Sequence, residues 1–385
     1  MVGNMKKILI DASGGKEWIG GLYYKKNILF SMLHNDYIMS YYEVYVMCEA
    51  EYHDFFAIDK RINVICIESD KKINTIKSML SMRRLKFDYI FPMNSSVKHK
   101  VISRKKTVGI TWIPDFQHYV FPEFFTEEEI QARTKEYLDI KNSSMPLVLS
   151  SQSAKTDFEH YVGKKDNVYV VPFVSYIEKE IECITSSTEK EVLEKYNIDA
   201  NGYICICNQF WKHKNHKVVF EAIKILVSEN KNYRFIMTGY PKDYRNPEYI
   251  KMIMDYMEDP DIKSCVIITG FVDRKEQVIL MKNSRFIIQP SLFEGWGTVL
   301  EDAKVLDKYV ILSDIPVHQE QKNNKCIMFN PYSADDLRDK IVEVYDIASI
   351  GIQDNGIMDM YDRARKYSYG FQELLVDSER MCSRK

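Results

Sequence analysis

The sequence predicts an α/β protein made of two doubly wound, Rossmann-like domains. Three observations carry this expectation. The chain has 385 residues, more than one typical domain needs. Short apolar runs alternate with helix-like stretches, the pattern of a parallel sheet. The alternation is broken once, by the charged stretch 177–197, which reads as a connector.

In chain order, 8–10 reads as a buried strand, 11–21 as a glycine-rich loop and 22–33 as a helix. This strand–loop–helix unit opens a doubly wound domain. Further strands are expected at 44–47, 64–67, 89–91, 108–112, 147–149 and 168–171. A second series follows at 203–207, 234–238, 265–269, 286–289, 309–313 and 326–329. The expected division is 1–175 plus a returning tail, 367–385, for the first domain, and 176–366 for the second.

Composition narrows the function classes. Hydrophobic residues at 45% and charged residues at 28% are ordinary for a globular protein, which excludes disorder. A formal net charge of −2 argues against a dedicated nucleic-acid binder. The eight cysteines are scattered and form no C-x-x-C pair, so buried free thiols in a reducing compartment are expected, without a zinc site. Cys205 and Cys207 alternate along one strand and should share a face. The apolar run 8–10 is too short for a signal peptide, and no stretch nears the ~20 apolar residues of a membrane span. A cytoplasmic protein, peripheral to the inner membrane face if it touches one, is expected. Between residues 71 and 110, eleven cations stand against Asp88 alone. That run is either a solvated face or a footprint on anionic lipid; nucleic acid is the weaker fit.

The segment 289–321 reads QPSLFEGWGTVLEDAKVLDKYVILSDIPVHQEQ. A strand ending at Gln289 runs into a loop with Gly295 and Gly297, and a helix begins at Thr298. Backbone amides at such a helix start attract anions such as a diphosphate. The glycines allow close backbone approach, and Thr298 can cap the helix or bond a phosphate oxygen. Glu294 and Glu301 flank this anion site. Carboxylates repel phosphate, so they suit sugar hydroxyls better: one for a transferred sugar, one for a ribose.

This segment resembles the donor-binding signature of retaining glycosyltransferases of the GT-B fold, family four, in the form found in a bacterial group that assembles surface polysaccharide or lipopolysaccharide. Six residues separate Glu294 from Glu301, one fewer than the family's usual spacing. The resemblance extends to other stretches. In C-N-Q-F-W-K-H-K-N-H, Lys214 matches a diphosphate-binding lysine, whereas Asn208 stands where the family has an arginine; Lys212 or His213 could supply that charge instead. Phe271 and Val272 match the loop that receives the nucleotide base, and Trp296 lies in the donor loop. Gly20 and Gly21 match the glycine loop facing the donor phosphates, with Gly14-Gly15 the other claimant. Pro114-Asp115 replaces the family's His-Asp, with His118 nearby. Ser150-Ser151-Gln152-Ser153 matches the family's S-x-x-S loop or else caps the next helix.

The resemblance implies two Rossmann-like domains facing across a cleft, a nucleotide-diphosphate sugar as donor, and a glycan or lipid-linked hydroxyl as acceptor. It implies neither cofactor nor metal, and places Glu294, Asp115 and His118 closest to the chemistry. Asp259-Pro260-Asp261 has the D-x-D form that other glycosyltransferases use for a metal, but reads here as a turn. A nucleotide-sugar epimerase of the same architecture and a non-catalytic nucleotide-sugar-binding protein are the alternatives. A nicotinamide oxidoreductase is disfavoured, because no G-x-G-x-x-G follows the first strand.

Overall fold

A computed structural model describes residues 5–14, 19–67, 82–93, 102–348 and 355–383. The chain divides into two compact units. One comprises Met1–Phe116, Ala132–Val174 and Tyr361–Lys385, the other Gln117–Gln131 and Ser175–Met360.

The first unit holds a sheet in the order β3-β2-β1-β4-β5 and a second, three-stranded sheet, β6-β7-β8. The strands are β1 (Lys6–Asp11), β2 (Tyr42–Glu49), β3 (Ile62–Ile67), β4 (Tyr89–Phe91), β5 (Val108–Gly109), β6 (Thr111–Ile113), β7 (Leu147–Leu149) and β8 (Val168–Val170). The run 108–112 is therefore not one strand. Val108 pairs with Tyr89 in the first sheet, whereas Thr111 pairs with Leu147 in the second.

The second unit holds one sheet in the order β11-β10-β9-β12-β13-β14. Its strands are β9 (Tyr203–Cys207), β10 (Arg234–Thr238), β11 (Val266–Gly270), β12 (Ile287–Gln289), β13 (Val310–Ser313) and β14 (Cys326–Phe329). Neighbouring strands pair in parallel. Every residue of β9 is buried, as a central parallel strand covered on both faces requires. Ile204, Ile206, Phe235, Met237, Phe286, Ile288 and Ile311 join one core with Phe220 and Ile223 of the helix His216–Ser228. Cys205 and Cys207 share the other direction of the pleat, with their sulfurs 3.4 Å apart.

Several expectations are corrected. Gly20 and Gly21 do not lie in a loop: the helix begins at Ile19 and both occupy its first turn. Gly15, the second half of the other claimant, lies outside the described residues. Residues 117–131 group with the second unit instead of the first. There the Lys212 ammonium lies 4.7 Å from the Phe124 ring and the Arg245 guanidinium 4.8 Å from the Phe125 ring. The cysteines are free where described, but Cys66 and Cys183 are exposed instead of buried. Asp259-Pro260-Asp261 is a helix start and not a turn: Asp259 caps the helix Pro260–Cys265, its carboxylate accepting from the Asp261 amide at 3.0 Å and pairing with Lys224 at 2.8 Å.

The closing helix, Asn355–Ser383, returns to the first unit. Phe371, Leu374 and Leu375 are fully buried, with the Phe371 ring edge-on to Phe91 at 5.5 Å. Asn35 donates to Ser368 and Gln372, each at 2.9 Å. Gly370 lets the helix backbone come against the Val170 carbonyl of β8, where an added Cβ would overlap that oxygen. Gly370→Ala should therefore destabilise the first unit. A clash with backbone costs about 1–3 kcal/mol, more than the roughly 0.5–1 kcal/mol that alanine gains over glycine in a helix. Urea denaturation checks this: an unchanged or higher midpoint would contradict the close packing.

Candidate active site

In open parallel sheets, ligands bind beyond the carboxyl ends of the strands where the strand order reverses. In the second unit that point lies between β9 and β12, which neighbour each other with Cys205 opposite Ile287. The loops leaving these two strands are tied together. The Leu292 amide donates to the His213 carbonyl at 2.7 Å. Asn215, in the left-handed conformation at φ 57°, donates from Nδ2 to the carbonyls of Pro290 (3.2 Å) and Pro331 (2.8 Å).

Between these loops Lys214 and Glu294 form an ion pair of 2.6 Å, with side-chain exposures of only 19% and 11%. The same Glu294 oxygen, Oε1, also accepts from Gln289 Nε2 at 2.9 Å and Ser291 Oγ at 2.8 Å. Gln289 in turn exchanges hydrogen bonds with buried Asn208, at 2.9 and 3.3 Å. Burial alone would raise the Glu294 carboxyl, but the charge and hydrogen bond of Lys214, with His213 and His318 acting in the same sense, outweigh it and hold the group below its ordinary value. It is a carboxylate at neutral pH.

Three histidines border this network. Burial drives His213 and His216 down to about 3 and His318 to about 4, with the charge of Lys214 acting in the same direction. All three are neutral imidazoles at pH 7. His216 stacks on Phe210 at 4.0 Å. His318 donates from Nδ1 to the Ser313 carbonyl at 2.9 Å. Ser313 Oγ donates to the Ser291 carbonyl at 2.5 Å, which links His318 to the Glu294 loop.

The glycine loop differs from the sequence expectation in two respects. Gly297 is the N-cap of the helix Thr298–Val305, so Thr298 is its first residue and not its cap. The Gly297 amide is also not open to a ligand, since Gln321 Oε1 accepts from it at 3.1 Å. Gly295 is half-buried and Trp296 buried. Glu301, expected beside the anion site at a sugar or ribose hydroxyl, is fully buried. Lys304 Nζ and Gln321 Nε2 donate to its Oε1 at 2.8 and 2.9 Å.

The base loop opens at the carboxyl ends of β10 and β11. The Gly239 amide donates to the Gly270 carbonyl at 2.8 Å. Gly239 has φ +109°, and a Cβ there would meet the Asn208 carbonyl at 2.5 Å. This crossing presents Tyr240 and Phe271, both about half exposed, as nearly parallel rings 6.3 Å apart. Val272 is half-buried. Arg274, just beyond, grips Asp302 with two hydrogen bonds of 2.7 and 2.5 Å and so ties the base loop to the helix Thr298–Val305.

Asp115 and His118 fall in different compact units. Asp115 pairs with Arg133 at 3.4 Å. His118 is 1% exposed, with its ring against Tyr119 and Phe125. Ser151 caps the helix Gln152–Asp157 through the Ala154 amide at 2.9 Å, the capping alternative for that loop. Sequence reasoning missed Gln289, Ser291, Gln321, Tyr240, Arg274 and Asp302. Only Tyr240 carried a local signal, a glycine directly after a strand.

The family model for glycosyl transferases group 1 matches residues 188–366, the stretch that carries this network. The whole chain has the GT-B fold. It is similar to a glycosyltransferase from Rickettsia africae at 16% identity, covering 99% of this chain and 100% of that one with a TM-score of 0.64. It is similar to HepE of Anabaena in complex with UDP-glucose at 14% identity, covering 96% and 99% with a TM-score of 0.69. It is also similar to WaaG, a glycosyltransferase involved in lipopolysaccharide biosynthesis, at 13% identity, covering 94% and 95% with a TM-score of 0.56. No curated protein matches the sequence.

The neutral histidines of the second unit give a pH prediction. A histidine whose folded value lies below its unfolded ~6.5 binds a proton in the unfolded chain first, so stability falls as pH drops from about 6.5 towards 4. The slope is at most about 1.4 kcal/mol per pH unit for each buried histidine. His216 is fully buried, and neither ring nitrogen has a hydrogen-bond partner among the described residues. His216→Phe should therefore remove roughly one histidine's share of the slope. Urea midpoints measured from pH 7 to pH 4.5 check this; parallel profiles for both proteins would contradict it.

Proposed function

We propose that the chain is a retaining, metal-independent glycosyltransferase. It moves a sugar from a UDP- or GDP-sugar to a hydroxyl of a glycan or lipid-linked acceptor, in assembly of a bacterial surface polysaccharide. One observation carries the reading: a half-buried Lys214–Glu294 pair at the strand-order reversal of a group 1 glycosyl transferase domain. HepE, of the same fold, has been seen with UDP-glucose.

The reaction breaks the bond between the anomeric carbon and the diphosphate oxygen and forms one to the acceptor oxygen. Its barrier is charge separation, with an oxocarbenium-like sugar facing an anionic leaving group. Fixed positive groups lower that barrier. Lys214 is the cation for this task, assisted by first-turn amides of the helix Thr298–Val305. The diphosphate draws Lys214 away from Glu294, and Glu294 then accepts from hydroxyls of the sugar. The acceptor attacks on the face that the diphosphate leaves, and its proton passes to the leaving phosphate oxygen. No enzymic nucleophile is needed. Phe271 and Val272 take the base. Asn208 acts by holding Gln289 rather than by touching phosphate. Gly20 and Gly21, in the first turn of their helix, remain candidates for donor contact. Asp115 and His118, which belong to different units, remain candidates for contact with the acceptor. A ribose contact from Glu301 requires this buried carboxylate to become exposed on donor binding.

A thermal-shift screen with UDP, GDP, ADP and their sugars identifies the donor, and an acceptor-dependent product separates transfer from isomerisation of the donor alone. Glu294→Gln and Lys214→Ala should each lower kcat/KM by at least about 100-fold, the usual effect of losing one transition-state electrostatic contact. Lys214→Ala leaves a shielded carboxylate without its cation, so melting is followed in parallel. Full turnover in either folded variant would remove the proposed roles.

We also propose contact with an anionic membrane surface through the first unit. Arg83, Arg84 and Lys86 precede β4, while Arg104, Lys105 and Lys106 precede the paired strand β5, and all six are exposed. Thr107 Oγ1 joins the two loops by donating to the Phe87 carbonyl at 2.9 Å and accepting from the Arg104 amide at 2.9 Å. Lys71, Lys72, Lys77, Lys98 and Lys100 lie outside the described residues. At about 1 kcal/mol per basic residue, binding to anionic vesicles should be strong at low salt and lost at high salt. Equal sedimentation with neutral and anionic vesicles would rule this out.

A further inference from the structure

We infer that Gln321 is a positioning residue for the donor: its side-chain amide fixes both the Gly297 peptide and the Glu301 carboxylate. The inference rests on the functional reading above. Gln321 ends the short helix Pro316–Gln321 and is 1% exposed. Its Oε1 accepts from the Gly297 amide at 3.1 Å. Its Nε2 donates to the Gly297 carbonyl at 2.9 Å and to Glu301 Oε1 at 2.9 Å. One planar group thus pairs with both sides of the N-cap residue and with the acid one turn further on.

The chemistry of the set explains the residue type. Gly297 presents a donor and an acceptor side by side, and Glu301 presents a second acceptor. Only a primary amide offers one acceptor and two donors in that plane. A glutamate would keep the bond to the Gly297 amide but set an oxygen against two oxygens. An apolar residue would leave three buried polar groups short of a partner. A Cβ at position 297 would come within 3.1 Å of Gln321 Oε1, so the glycine and the glutamine fit as a pair.

The consequence concerns orientation. The Gly297 carbonyl also accepts the first helical hydrogen bond, from the Glu301 amide at 3.2 Å. Turning the Gly297 peptide therefore turns the first-turn amides that the diphosphate would meet. It also takes one of its donors from Glu301, to which Lys304 donates as well. Gln321 touches neither reacting group, so its effect should fall on donor affinity and KM, with kcat much less changed.

Nucleotide binding to the full chain, measured by titration calorimetry with UDP and with GDP at pH 6 and pH 8, tests this. Gln321→Ala should weaken binding of the nucleotide that the wild-type protein takes by about tenfold. Gln321→Glu should weaken it at pH 8 and recover at pH 6. Two facing carboxyls raise each other's proton affinity, and the bound proton restores a donor. Lys304 and the Cys326 thiol also face this carboxylate, in wild type and variants alike, so the wild-type pH response is the reference. A structural role alone would lower the melting temperature while leaving the affinity of the folded protein unchanged at both pH values. That result overturns the inference, and it does so by itself if Lys214→Ala still weakens binding. Binding of neither nucleotide to the wild-type protein overturns the functional reading and this inference with it. Should Gln321→Ala fail to fold, the isosteric Gln321→Glu decides.

Discussion

A carboxylate withdrawn from water must be given partners, and the loops of the second unit are arranged around the partners of Glu294. Taking a carboxylate out of water costs several kcal/mol even after relaxation. Hydrogen bonds to a charged group each return about 1.5–3 kcal/mol. Lys214, Gln289 and Ser291 all point at one oxygen of Glu294. They come from the loop after β9, the end of β12 and the loop after β12. The strand order brings these segments together, because β9 and β12 are neighbours whose following chains turn apart. Topology thus makes the opening, and the carboxylate's need for partners fixes its walls.

The helix Thr298–Val305 is held in a comparable way on two sides. Arg274 clasps Asp302 from the base loop, and Gln321 clasps Gly297 and Glu301 from the segment after β13. Glu301 and Asp302 are both fully buried. Consecutive buried acids are tolerable only because each has its own cation, Lys304 and Arg274 respectively. The stretch Glu301–Lys304 is therefore an internal bracing element. It anchors the helix whose first turn faces the proposed diphosphate site.

The sheets were legible because buried parallel strands are continuous apolar runs. Tyr203–Cys207 and Ile287–Gln289 could be read directly, and so could the second series as a whole. The split between Val108–Gly109 and Thr111–Ile113 could not, since a chain that changes sheets without a break keeps the same local composition. Gly20 and Gly21 suggested a loop, yet helix packing from Gly21 and Leu22 onward overrides their weak propensity. Lys214 and Glu294 were found because a family resemblance marks them. Gln321 was not, because its role depends on partners 20 and 24 residues away that no periodicity connects.

The charge inventory at the site separates this chain from the pattern it resembles. Where that pattern has an arginine, Asn208 is buried and engaged with Gln289. The nearby histidines do not replace the missing charge: burial keeps His213 and His318 neutral, and the ammonium of Lys214 adds to that effect. At neutral pH the positive charge of this network therefore resides on Lys214. A lysine ammonium is a compact point charge without the fork that lets arginine bind a phosphate in two places. It can pass between a carboxylate and a phosphate oxygen by rotation of its stem, whereas a bidentate arginine would have to give up two bonds at once. Under the proposed function, orientation of the diphosphate would then fall to the backbone amides of the helix start, and the buried glutamine and arginine that hold that helix would contribute to donor recognition without touching the donor.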